Sequence, residues 1–142
     1  MSLLVASSAL AVMPPDVYRQ AAKDAAYHVQ VKVLKVVPPK SGPGECRVTG
    51  EVVSIFRDKA RKLKLGRKIS FNVSCKGDKD RVPPGGTIWK TRGALAKAKF
   101  IEAALNSDKT GKRFSVARWN TSIINARSKT PQWGFPFHPK KK

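Results

Sequence analysis

The stretch YHVQVKVLKVV, residues 27–37, constrains the fold more than any other part of the chain. Val29, Val31 and Val33 alternate with His28, Gln30 and Lys32. A period of two puts the valines on one face and the polar residues on the other, which predicts a half-buried β-strand. Pro38, Pro39, Gly42, Pro43 and Gly44 then end it in a loop.

Two further strands follow. Cys46 to Phe56 (CRVTGEVVSIF) is interrupted by Gly50, which predicts a bulge or a sharp bend. Lys68 to Cys75 (KISFNVSC) places Ile69, Phe71 and Val73 inward and Ser70, Asn72 and Ser74 outward. Upstream, Asp16 to Ala26 reads as a short helix begun by Asp16 or by the Pro14-Pro15 pair, with Val17, Ala21 and Ala25 on one face. Downstream, Thr87-Ile88-Trp89 reads as a short strand.

Residues 94–106 carry two conflicting signals. Their composition suits a helix, yet they precede NSDKTGK, good hairpin-loop chemistry, and the strand-like RFSVARWNTSII. The hairpin Lys99–Leu105 with Phe114–Ile124 is the reading adopted. The sum is a mainly β fold: a small OB-like, Greek-key barrel of five or six strands, with a short N-terminal helix and an irregular C-terminal tail. A small sandwich is the alternative.

The 142 residues suffice for one domain, placed at residues 14–126. Residues 1–13 form an apolar block with no charge. Ala9-Leu10-Ala11 fits a signal-peptidase site, although no positive segment leads it. The block is a signal peptide, or an N-terminal arm that stays on the protein. Residues 127–142 form a basic, aromatic and proline-rich tail. Trp133, Phe135 and Phe137 are its candidate anchors, since aromatics dominate binding hot spots.

Cys46 and Cys75 end neighbouring predicted strands. In an exported chain they should pair as a disulfide; in a cytosolic one they would be small buried thiols. The disulfide is preferred, and with it a periplasmic or secreted location. A cytoplasmic location follows if the N-terminus is no signal.

YHVQVKVLKVV, ECRVTGEVVSIFR, LGRKISFNVSC and PPGGTIWK together resemble the netrin-like domain, an OB-fold shared with the tissue inhibitors of metalloproteinases. The resemblance spans about residues 27–90 and extends to small exported bacterial proteins with the same strand order. It implies a fold more than a function. Those inhibitors approach zinc with a cysteine at the mature N-terminus. Here the first cysteine is Cys46, so that activity is not carried over.

No catalytic constellation emerges. His28 and His138 are far apart in sequence, and with Cys46 and Cys75 they show no metal-ligand spacing, so no metal or cofactor is expected. Glu102 has no obvious partner. Asp78 and Asp80 read as charge balance in a basic loop. KTGK at 109–112 reads as a turn, not a phosphate loop.

The net charge of +20 draws the chain to anionic surfaces: an acidic protein, an anionic polymer or lipid surface, or nucleic acid. Residues 57–68 concentrate it, with seven basic residues in twelve and one acid, Asp58. Lys59, Arg61, Lys62, Lys64, Arg67 and Lys68 are the candidate anion-binding residues, and Trp119 the candidate exposed ring. The expectation is a non-enzymatic binding module, an accessory or structural subunit that docks on an acidic protein or an anionic envelope surface. A nucleic-acid-binding OB protein is the alternative.

Overall fold

The computed structural model describes residues 14–132. The helix α1 (Pro15–Asp24) leads into β1 (Tyr27–Val37), β2 (Gly44–Asp58) and β3 (Lys68–Lys76), a meander of three long strands. A two-residue strand β4 (Lys90–Thr91), a short helix α2 (Arg92–Lys97), and the hairpin β5 (Phe100–Ser107) and β6 (Phe114–Ile124) complete it. The fold is mainly β: one curled, six-stranded sheet in the order β4-β3-β2-β1-β5-β6.

β5 returns after β3 to lie antiparallel beside β1. That order, fourth strand beside the first of a meander, is a Greek key. The curl brings β3 and β6, from opposite halves of the sheet, into contact. The inward rows fill the interior: Val29 and Val31, Val48 and Val52, Ile69, Phe71 and Val73, Ile101 and Leu105. Leu95 of α2, fully buried, joins this core. Its helix is started by Thr91, whose side-chain oxygen accepts from the Ala94 N–H.

Gly50 is there because the strands crowd at that point. A Cβ on it would lie 2.8 Å from Val31 Cβ and 3.0 Å from the Lys32 carbonyl. The β1–β2 register shifts beside it, between Val33 and Lys35. The extra residue, Leu34, therefore bulges from β1 opposite the glycine.

Several expectations need correction. Residues 87–89 form no strand; the pairing with β3 falls three residues later, at Lys90 and Thr91, where Cys75 and Lys76 end the ladder. The buried residue of α1 is Tyr18, which donates from its hydroxyl to the Gly86 carbonyl at 2.6 Å, while Val17 and Ala21 are only half-buried. Residues 94–106 satisfy both local signals in turn. α2 takes the helix-forming start, and β5 takes Phe100–Ser107, where pairing on both sides outweighs propensity.

Cys46 and Cys75 form a disulfide between β2 and β3, with Cα atoms 5.8 Å apart. The register explains it. Gly44 faces Cys75 and Cys46 faces Val73, so the cysteines are diagonal neighbours on one inward face. Among the described residues, no helix is long and apolar enough to cross a membrane. The apolar block 1–13 and the anchors Trp133, Phe135 and Phe137 lie outside the described residues.

Candidate functional site

The basic loop leaves β2 and returns to β3. Its single acid does not neutralise the loop's side chains. The Asp58 carboxylate accepts the Lys62 and Leu63 N–H groups at 3.0 and 2.9 Å, shaping the turn from within. Leu63 is buried in the core and pins the loop's middle. Val52 closes the far end by donating its N–H to the Arg67 carbonyl at 2.9 Å and accepting from Gly66 N–H at 2.8 Å. Lys59, Arg61, Lys62, Lys64 and Lys68 are left exposed.

A second basic turn packs beside this loop. Residues 108–113 join β5 to β6, and Asp108 organises them. Its Oδ1 accepts from the Thr110 hydroxyl at 2.6 Å and from the Thr110 and Gly111 N–H groups at 3.1 and 3.0 Å. The Thr110 hydroxyl leads the donors that hold the Asp108 carboxyl below the usual carboxylate range. KTGK is thus a turn, with Gly111 at φ +75° in the left-handed region that favours glycine.

Arg67 couples the two turns. One guanidinium nitrogen donates to the Lys62 carbonyl at 3.1 Å, the other to the Gly111 carbonyl at 3.2 Å. Its guanidinium carbon lies 5.4 Å from the Phe114 ring centroid, within cation–π range. So Arg67, half-buried, works as the bolt of the basic end, and the exposed cations around it face solvent. Lys109, Lys112 and Arg113, which sequence reasoning passed over, join the six it named. The signal was present: four of the five residues of KTGKR are cationic or a turn glycine.

Trp119 does not join this end. Its ring leans on Tyr18 of α1, with centroids 6.1 Å apart and planes tilted by 53°. The cause is a bulge: Arg118 and Trp119 both take positive φ, 45° and 60°, where β6 loses register with β5. Asn120, fully buried, braces it by donating to the carbonyls of Ala117 at 2.6 Å and Tyr18 at 3.0 Å.

Glu102 has partners after all. β1 and β5 are neighbours, and Gln30 stands directly across from Glu102. Gln30 Nε2 donates to Glu102 Oε1 at 2.8 Å, and His28 Nε2 lies 2.6 Å from Glu102 Oε2. This polar row lies on the outward face and is still buried, because residues 126–132 lie over it. The Gln132 N–H donates to Glu102 Oε1 at 3.0 Å, and the Ser128 N–H to Gln30 Oε1 at 2.7 Å. Burial pushes the Glu102 carboxyl up. The donors from His28, Gln30 and Gln132 outweigh it, and the net direction is down.

Among the described residues, no group of three or more His, Cys, Asp or Glu is placed to hold a metal ion. Asp80, read as charge balance, accepts the Gly77 N–H at 2.6 Å and pairs with Arg92 at 3.4 Å. No protein-family model matches this chain, and no curated protein matches it.

Proposed function

We propose that this chain is an exported, non-enzymatic binding module that docks on an acidic protein partner through the basic end of its sheet. One observation carries the reading. Two separate basic turns, 57–68 and 108–113, are held side by side by Arg67, while both local acids, Asp58 and Asp108, bind backbone N–H groups. Gathering like charges at one end costs stability unless an anion meets them there. The buried disulfide supports the export half of the proposal, since such bonds persist in oxidising compartments.

Phe71 and Phe114 are buried at 2% and 7% exposure, and half-buried Phe56, beside the start of turn 57–68, packs its ring edge-on against His28 with centroids 5.2 Å apart. The basic end thus carries no row of open rings for stacked bases, which favours a protein partner over a single-stranded nucleic acid. A netrin-like kinship is part of the proposal. Three of its four resembling segments correspond to β1, β2 and β3, in order, and the fourth ends at the first residue of β4.

The test has two arms. Intact-mass measurement of the chain from its native source should show a shortened N-terminus and two hydrogens fewer than the reduced chain. A full-length N-terminus with free thiols would refute export. Purified partner complexes should dissociate at about 1 M salt, where the screening length falls to about 3 Å. A complex indifferent to salt would refute the basic end as its dock.

A further inference from the structure

The basic end borders a small cleft where β6 comes up against β3. It has a volume of about 330 Å³, and its rim carries Arg47 of β2, Lys112 and Arg113. Ser70 and Asn72 on the outward face of β3 line it too. We propose that this cleft is the specificity pocket of the dock, and that it takes a carboxylate side chain from an extended acidic segment of the protein partner. The proposal rests on the reading of an acidic protein partner and says where on the chain that partner is recognised.

Three features set the cleft apart from the rest of the basic surface. First, its cations are unspent. Among the described residues, the side chains of Arg47, Lys112 and Arg113 make no ion pair or hydrogen bond. Second, the backbone beneath them is fixed. Asp108 donates its N–H to the Arg113 carbonyl at 3.0 Å, Lys112 donates its N–H to the Thr110 hydroxyl at 3.1 Å, and Arg67 ties the turn to the neighbouring loop. Arg47 stands on a laddered strand, directly across from Asn72. Cations on fixed backbone lose less freedom on binding than those on a free loop. Third, neutral donors sit between them. Ser70 shares a hydrogen bond with Thr49 at 2.9 Å, and Asn72 donates one amide hydrogen to Glu45 Oε1 at 3.1 Å and has a second to offer.

The chemistry and the size agree. Two guanidinium groups and an ammonium suit the planar, two-oxygen acceptor of a carboxylate, which arginine binds through paired donors. The volume accommodates one acidic side chain. A neighbouring cleft of about 610 Å³ shares Asn72 and Phe114 with it, is lined also by Glu45 and Asp24, and continues past Val116 to Trp119. An extended segment seated by its carboxylate would run on along that cleft with uncharged residues, since Glu45 and Asp24 repel further acids there.

The probe is a fluorescein-labelled Glu-Gly repeat peptide, read by fluorescence anisotropy at low salt. Two double variants remove equal charge: Arg47→Ser with Arg113→Ser in the cleft, and Lys59→Ser with Lys64→Ser on the outer loop. The expected result is a loss of about tenfold or more for the cleft pair and about twofold to threefold for the loop pair, as for site-bound against rim charges. Arg47→Gln with Lys112→Gln is a second cleft pair, and thermal melts verify folding of each. Equal losses in cleft and loop variants would overturn the pocket and leave the acidic-partner reading standing. No binding of the peptide by the native chain would overturn both. So would tighter, cleft-dependent binding of a single-stranded oligothymidine.

Discussion

Gln30 and Glu102 face each other across β1 and β5, and the seven residues after Asn125 roof them. The pair marks where the outward face of the sheet stops being a surface. Gln30 spends its amide nitrogen on Glu102 and Ser128 and its oxygen on the Ser128 N–H. A carboxylate at 0% exposure is tolerable only with such donors.

Glu102→Gln should therefore destabilise the protein at neutral pH by about 1.5–3 kcal/mol, because the charge that strengthens these bonds is lost and the one amide oxygen can keep the Gln30 and Gln132 donors only by turning the NH2 toward His28. The native carboxyl is held below its ordinary value, so its contribution is complete above the unfolded value near 4.5 and declines as pH falls below it. Chemical denaturation across that range should show an acid limb in the native chain that is flatter in the variant. Parallel limbs would show that Glu102 is not the group responsible.

Truncation after Ala126 removes the roof and leaves Gln30 and Glu102 to water. The barrel core is untouched, so the shortened chain should fold, with a lower melting temperature. Ser128→Ala deletes one hydroxyl, which accepts from Gln30 at 3.0 Å and donates to the Thr130 carbonyl at 2.7 Å. It should cost about 1 kcal/mol. Hydrogen exchange at Ser128 and Gln132 N–H should accelerate in the Ser128 variant before exchange at Val31 does.

The Cys46–Cys75 bond closes a separation of 29 residues. On the chain-entropy account it stabilises by roughly 3–4 kcal/mol. The double variant Cys46→Ala with Cys75→Ala should lower the urea midpoint accordingly while keeping the strand signal in circular dichroism. With both sulfurs at 0% exposure, alkylation of the native chain under mild reductant should be slow until it unfolds.

Gly50→Ala should cost about 1–3 kcal/mol through overpacking against Val31. Combining it with Val31→Ala should recover part of that loss, although Val31→Ala alone is destabilising. Additive losses in the double-mutant cycle would rule out this contact as the reason for the glycine.

The residues disclosed this fold unevenly. β1 and β3 were legible because period-two alternation is local and survives any tertiary arrangement. Gly50 was legible as a point of irregularity, though the extra residue turned out to lie across the ladder, at Leu34. The partners of Glu102 were not legible. They depend on β5 returning to β1, a 72-residue separation between Gln30 and Glu102 that no window spans. The seat of residues 126–132 left no trace either, since a segment held by side-chain hydrogen bonds has no period. The contact of Trp119 with Tyr18 was not legible, because nothing in the residue types announces two consecutive left-handed conformations at Arg118 and Trp119. The basic loop was plain from composition; that it has a second turn as neighbour required the hairpin geometry.

The placement of residues 126–132 over the sheet also sets an order of events in synthesis. A nascent chain can lay down all six strands once Ile124 has emerged, yet its outward face then still displays a carboxylate and an amide that the finished fold covers. The outer wall is sealed only once residues 126–132 have emerged as well. Chains stalled near Asn125 should be cut by protease at sites that the released protein withholds.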